Sequence, residues 1–167
     1  MKYLCGVLAA LLLSVGMSEA VTFFYPKQEA ALFSIEVPDT WKPEVLEDGS
    51  LEAVAPDEKG YVCTWILKSE KDFEALESDL SDLLEPYLKD IKVSEKGETV
   101  KGTNVEFQVF SGSGKDKEDG SAQNFEVFLF QITEGQVGVF FVQYAADAPE
   151  DTTGALIAIA KSIKVSE

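Results

Sequence analysis

The sequence predicts an α+β fold built on a mostly antiparallel sheet, on three observations. Phe33, Ile35 and Val37 alternate with Ser34 and Glu36, the period of two of a half-buried strand. Phe125–Ile132 and Val137–Ala145 are apolar on both faces and are joined across Glu134-Gly135, a tight hairpin turn. Strands of that kind are covered on both faces. Two segments with helical spacing, one after Lys68 and one after Pro149, supply covering material.

The chain opens with a positive Met1-Lys2 and an apolar run from Tyr3 to Val15, then small residues at Ser18 and Ala20. That order predicts a secretory signal peptide over residues 1–20, cut after Ala20. The apolar run is shorter than the roughly 20 residues a bilayer span needs. The expectation is a periplasmic or secreted protein, with residues 21–167 as one globular domain and no transmembrane span. Cys5 precedes most of the apolar run, which argues against lipidation. Removing the first 20 of 167 residues leaves 147, enough to bury roughly 70% of the unfolded surface without a disulfide or metal.

The strand signals continue in order. Pro38-Asp39 ends the first strand, and Trp41 is expected to fold back over its apolar face. Leu51–Ala55 and Tyr61–Leu67 read as a hairpin closed by Asp57-Glu58-Lys59-Gly60. A helix follows, with Ser69 and Asp72 placed as in a capping box. Its stripe is Phe73, Leu76, Leu80, Leu83, Leu84 and Tyr87. Pro86 either ends this helix near Glu85 or kinks it; Tyr87 and Ile91 extend the stripe, which favours a kinked helix running to Asp90. Lys92–Lys96 reads as a brief strand and Thr103–Phe110 as a longer one with Val105, Phe107 and Val109 on one face. Ser111–Ser121, rich in glycine and charge, reads as a mobile loop. A last helix spans Pro149–Ser162, with Ala155, Leu156, Ile159 and Ile163 inward.

Composition excludes several function classes. All 14 positive residues are lysines, histidine is absent, and the net charge is −16. Without an imidazole there is no Ser-His-Asp or Cys-His mechanism and no histidine metal ligand. Without arginine there is no bidentate fork for phosphate. The negative field repels nucleic acid. Such acidity serves solubility first; attraction to a basic partner or to divalent cations is the sharper reading. Cys63 is the one cysteine outside the leader, so no internal disulfide forms. Its apolar strand suits a buried free thiol, with an intermolecular bridge as the alternative.

No residue is assigned a catalytic, cofactor-binding or metal-binding role, and no cofactor is implied. Asp116-Lys117-Glu118-Asp119-Gly120 invites a calcium reading, but an EF-hand register from Asp116 puts glycine fifth and Val127 twelfth, so the motif fails. The acidic pairs Glu47-Asp48, Asp57-Glu58 and Glu150-Asp151 sit in turns or at a helix start, where acids have ordinary structural reasons to be.

The segment Phe33-Ser34-Ile35-Glu36-Val37-Pro38-Asp39-Thr40-Trp41 resembles the opening of the PsbP-like and DcrB-like family of exported domains. The element order through Ser162-Ile163-Lys164 is similar as well. The resemblance implies a sheet covered by helices on both faces, an α/β/α sandwich. It also implies a binding or assembly role without shared catalytic residues. Histidines proposed to hold metal in some plant members have no counterpart here. The expected function is therefore an exported, non-catalytic binding or accessory protein of the cell envelope, with an envelope protein as partner. A small-ligand or divalent-cation binder is the alternative, and a hydrolytic enzyme using carboxylates is the third reading.

Overall fold

A computed structural model describes residues 19–68, 76, 78–94 and 97–166. Its strands are β1 (Ala20–Tyr25), β2 (Phe33–Pro38), β3 (Glu44–Val45), β4 (Leu51–Val54), β5 (Gly60–Lys68), β6 (Leu88–Val93), β7 (Glu98–Lys101), β8 (Glu106–Asp116), β9 (Ala122–Thr133), β10 (Gln136–Ala145) and β11 (Lys164–Val165). The α-helices among the described residues are α1 (Leu80–Leu84) and α2 (Glu150–Ser162). Eight strands form one antiparallel sheet in the order β3-β4-β5-β10-β9-β8-β6, with β7 also on β8; β1, β2 and β11 form a second, three-stranded sheet.

The large sheet is apolar on both faces, and side-chain parity sorts its residues. On β9, Phe128, Phe130 and Ile132 face one core, while Phe125, Val127 and Leu129 face the other. On β10, Phe140 and Val142 oppose Val139 and Phe141 in the same way. Both strands lie at the centre of the sheet, joined at Gly135, whose φ of +75° suits glycine in the turn.

The covers are not the two helical layers of an α/β/α sandwich, and that expectation is corrected here. One face is covered by the three-stranded sheet together with α2. Phe33, Ile35 and Val37 of β2 project onto it, with Phe33 edge-on to Phe130 at 5.3 Å, and Leu156 and Ile159 of α2 join them. The other face carries α1, through Leu80 and Leu84, with Leu76 and Leu88 beside them. The protein is thus mainly antiparallel β-structure. The amphipathic β2 serves as part of a covering layer, paired to β1 from Val21↔Val37 to Tyr25↔Phe33.

Pro86 marks a second correction. The helix does not kink and continue: α1 ends at Leu84, and Leu88–Val93 is strand β6, paired with β8. Proline cannot donate to the carbonyl of Asp82, and its ring crowds that turn. The alternating remainder then finds a strand edge. The Ser69-Asp72 capping box and Phe73 lie outside the described residues.

The expected loop Ser111–Ser121 is also corrected, because β8 runs on to Asp116 and β9 starts at Ala122. Glycine makes this possible. A Cβ on Gly112 would lie 2.3 Å from the Phe125 ring and 2.4 Å from the Lys92 carbonyl, so only glycine lets that ring cross the strand. Polar composition here marks an exposed ribbon held by backbone pairing. Trp41 follows a short 3₁₀ turn (Asp39–Trp41) and is 3% exposed, within the core formed by β2, β4 and α2. Trp41→Ala is expected to destabilise the protein by about 3–5 kcal/mol, read by urea denaturation; a loss near zero would place the indole outside the core's energetics.

Candidate functional site

Polar residues at the ends of otherwise apolar strands collect at one end of the large sheet, on its α1 face. On β5, Tyr61, Cys63 and Trp65 share that face by parity, and on β10 Gln143 follows Val139 and Phe141. The turn after α1 adds Pro86 and Tyr87, β4 adds Glu52 and Val54, and the β8–β9 hairpin adds Asp116–Asp119. Together they bound an open cleft of about 710 Å³.

Its floor is aromatic. Tyr87 lies 5.9 Å from Tyr61, 5.1 Å from Phe141 and 6.2 Å from Trp65, and is stacked on Trp65 at 24°. Tyr61 donates its hydroxyl to Glu52 Oε1 at 2.7 Å. Burial pushes this phenol far above its ordinary range, and nearby Cys63 and Glu52 push the same way. Cys63 is 1% exposed, with Sγ 3.6 Å from Tyr87 Oη. Burial raises the thiol to about 11 against an ordinary 9.0. Tyr87 is raised too, first by burial and then by its contact with Cys63. The floor therefore stays protonated and uncharged at neutral pH.

The walls are acidic and ordered. Asp116 Oδ1 accepts from the backbone N–H groups of Glu118 (2.8 Å) and Asp119 (3.2 Å), and its Oδ2 accepts from Gln143 Nε2 at 2.9 Å. Asp119 Oδ1 accepts from Ser121 N at 2.7 Å, which holds that carboxyl below its usual range. The sequence that suggests a calcium loop is thus a hairpin whose carboxylates cap its own turn. Among the described residues no group of three or more acids and cysteines is arranged to hold a metal ion.

The three acidic pairs lie apart. Asp48 takes the Ser50 hydroxyl at 2.6 Å and the Ser50 N–H at 2.9 Å, closing the β3–β4 turn. Asp57 takes the Thr152 hydroxyl at 2.6 Å and so ties the β4–β5 turn to α2. Glu150 and Asp151 occupy the first turn of α2, where negative charge suits the helix dipole. Of these pairs only Glu58 lines the cleft. Of the residues that build it, Asp116 belongs to the segment that invites a calcium reading, while Glu52, Tyr61, Tyr87 and Gln143 carry no motif. Their one signal in sequence is a polar head interrupting an apolar face.

The Cys63 thiol yields a pH prediction with a definite sign. Unfolded thiol ionises from near 9.0 and the folded one only near 11, so between them the folded state holds more protons. Stability is full below pH 9 and falls as pH rises, by about 2–3 kcal/mol from this group alone. Urea unfolding followed between pH 8 and 11 should show this loss, with a shallower slope in Cys63→Ala. Equal slopes would remove the thiol from the account.

The sequence matches no protein-family model, and no curated protein matches it. Solved structures do share its fold. A protein from Bacteroides thetaiotaomicron superposes with a TM-score of 0.59 at 15% identity, over 90% of this chain and 50% of that one, so this chain spans half of that protein's length. LpqN, involved in cell envelope biogenesis of Mycobacterium tuberculosis, superposes at 0.55 with 14% identity, over 81% of this chain and 83% of LpqN. The Saccharomyces cerevisiae Ran-binding protein Mog1p superposes at 0.55 with 12% identity, over 89% of this chain and 96% of Mog1p. At these identities the likeness is one of fold.

Proposed function

We propose that this chain is an exported, non-catalytic binding or accessory protein of the cell envelope, which contacts another envelope protein through the cleft beside Tyr61 and Tyr87. The observation that carries the reading is the cleft itself. It is a concave, solvent-open site with an uncharged aromatic floor, where hydrogen bonds hold the carboxylates of Glu52, Asp116 and Asp119 in place. Preformed recesses of this kind bind with little reorganisation.

Export is supported by the leader-like first twenty residues. A cut after Ala20 leaves Val21–Tyr25 paired to β2, so the small sheet keeps its edge. No helix among the described residues is long and apolar enough to cross a membrane. LpqN and Mog1p, which share the fold, are respectively an envelope-biogenesis protein and a Ran-binding protein. The PsbP-like or DcrB-like affiliation belongs with this proposal; β2, the turn at Pro38 and the packed Trp41 support it.

Site-specific photocrosslinking in the envelope tests the reading. A probe at Val54, exposed and on the cleft wall, is expected to capture one recurrent envelope protein. A probe at Ile157, exposed on α2 and outside the cleft, is expected not to. Capture of nothing from Val54, with the purified protein turning over a substrate, would overturn it.

A further inference from the structure

The small sheet ends on an open strand. In the order β1-β2-β11, β1 is paired on one side only. Asp39 N donates to Glu19 O at 2.9 Å, which sets the phase of the β1–β2 ladder. In that phase Val21, Phe23 and Tyr25 bond to β2, and Thr22 and Phe24 turn their N–H and C=O groups to the free edge. β2 agrees from its other side, where Glu36 N donates to Ser162 Oγ at 2.8 Å and Ser34 lies opposite Lys164 of β11. Among the described residues no strand pairs with the outward groups of Thr22 and Phe24.

Strand edges are normally blunted by charge, proline or shortness. The other edges among the described residues follow that rule. β3 and β11 are two residues each. β6 carries Lys89, Asp90 and Lys92, and β7 carries Glu98 and Lys101. β1 does not follow it: Ala20–Tyr25 holds no charged residue, in a chain of net charge −16. It is apolar at the surface as well. Val21 and Phe24 are exposed, and Phe24 borders one recess with Val45, itself exposed. An exposed, uncharged, apolar edge is a template for a further strand.

The sequence of β1 indicates which strand. Turned antiparallel onto itself about Phe23, it brings Thr22 opposite Phe24 and Val21 opposite Tyr25, with Phe23 facing its own copy. The outward groups of Thr22 and Phe24 then meet on both sides of the axis, as the β1–β2 phase requires. Every pair is aromatic with β-branched or aromatic with aromatic, combinations that stabilise a ladder. The neighbouring register about Thr22 sets Phe24 against Ala20 and Tyr25 against acidic Glu19. We infer that β1 pairs with β1 of a second copy across a two-fold axis at Phe23, joining two three-stranded sheets into one. The contact belongs to the cover on the face of the large sheet away from the cleft, and it uses only residues that remain after a cut at Ala20.

Sedimentation of the purified protein tests this without any variant. A monomer–dimer equilibrium is expected. It should tighten as NaCl rises from about 50 to about 500 mM, because salt screens the like net charges while the pairing strand carries none. Thr22→Pro removes an outward N–H that β2 does not use, and is expected to weaken the dimer at least about tenfold, the order given by losing half of the interstrand bonds. Phe24→Lys puts a charge on the edge without touching the β2 ladder and is expected to act in the same direction. Ile157→Lys, exposed on α2, is expected to change the dimer less than about twofold. Phe23→Cys reads the register. Residues opposed at a non-hydrogen-bonded pair stand roughly 4.5 Å apart at Cα, within disulfide reach, so oxidised glutathione should link this variant faster than Val100→Cys. The pairing is overturned by a protein that stays monomeric at every salt concentration, by a dimer that loosens with salt, or by one that Ile157→Lys weakens as much as the β1 variants do. Linking of Phe23→Cys no faster than Val100→Cys would overturn it too. So would a monomer whose Thr22 photocrosslinks a different envelope protein, which would give the edge to a partner's strand.

Discussion

The β9–β10 pairing is the constraint on which the rest of the molecule depends. Ten residues of β10 are paired with β9 on one side and nine with β5 on the other, and the apolar side chains of the β9–β10 pair project to both faces. A strand pair of this kind cannot stand at a water boundary, because either exposed face would cost the burial of several aromatic and branched side chains. The fold therefore has to provide two covers. Phe128, Phe130 and Phe140 fix one, and Phe125, Val127 and Phe141 fix the other.

Among the described residues the two covers are unequal, and the cleft lies beside the shorter one. On one face the small sheet and α2 close the core along its length, clamped by Ser162 Oγ, which accepts from Glu36 N at 2.8 Å, and by Asn104, which pairs with both backbone groups of Val165. On the other face, α1 contributes Leu80 and Leu84 and the chain then turns at Pro86 into β6. Tyr87 closes that layer edgewise. Past it the sheet runs on as β5, β10 and the β8–β9 ribbon, so their polar ends stand around a recess. Ending the helix at Pro86 thus sets both the fold and the position of the aromatic floor.

Much of this was legible where burial writes a period into the chain. The two-faced patterns of β9 and β10, the turn at Gly135, the inward stripe of α2 and the buried Trp41 all follow from side-chain parity or helical spacing. The failures share one cause, which is competition between local pattern and long-range pairing. Leu88–Val93 carries residues that fit a helical stripe as well as a strand, and the free edge of β8 decides the matter. Ser111–Asp116 looks like a loop because exposed ribbon residues need no apolar character, and backbone bonds to β9 and β6 leave no trace in composition. The helical covers expected on both faces fail for the same reason, since β2 gives the same apolar face whether it lies within a sheet or upon one. Glu52, Tyr61, Tyr87 and Gln143 were illegible as a site because they are far apart in sequence, and Asp116 was legible only as part of a turn segment.

The acidity of the chain takes on a more specific meaning at the cleft. Spread over a surface, carboxylates are solvated and screened, and a count of them predicts solubility alone. At the recess they stand beside buried groups. The Tyr61 and Tyr87 phenols and the Cys63 thiol, protonated at neutral pH even at their ordinary values, are pushed further up by burial, so the floor beneath the carboxylates is uncharged. The same burial keeps the thiol from acting as a nucleophile at neutral pH. Histidine and arginine, absent from the whole chain, supply neither a base nor an anion fork to the site. What the cleft retains is a neutral aromatic floor, ordered carboxylates and a concave shape set by the strand ends.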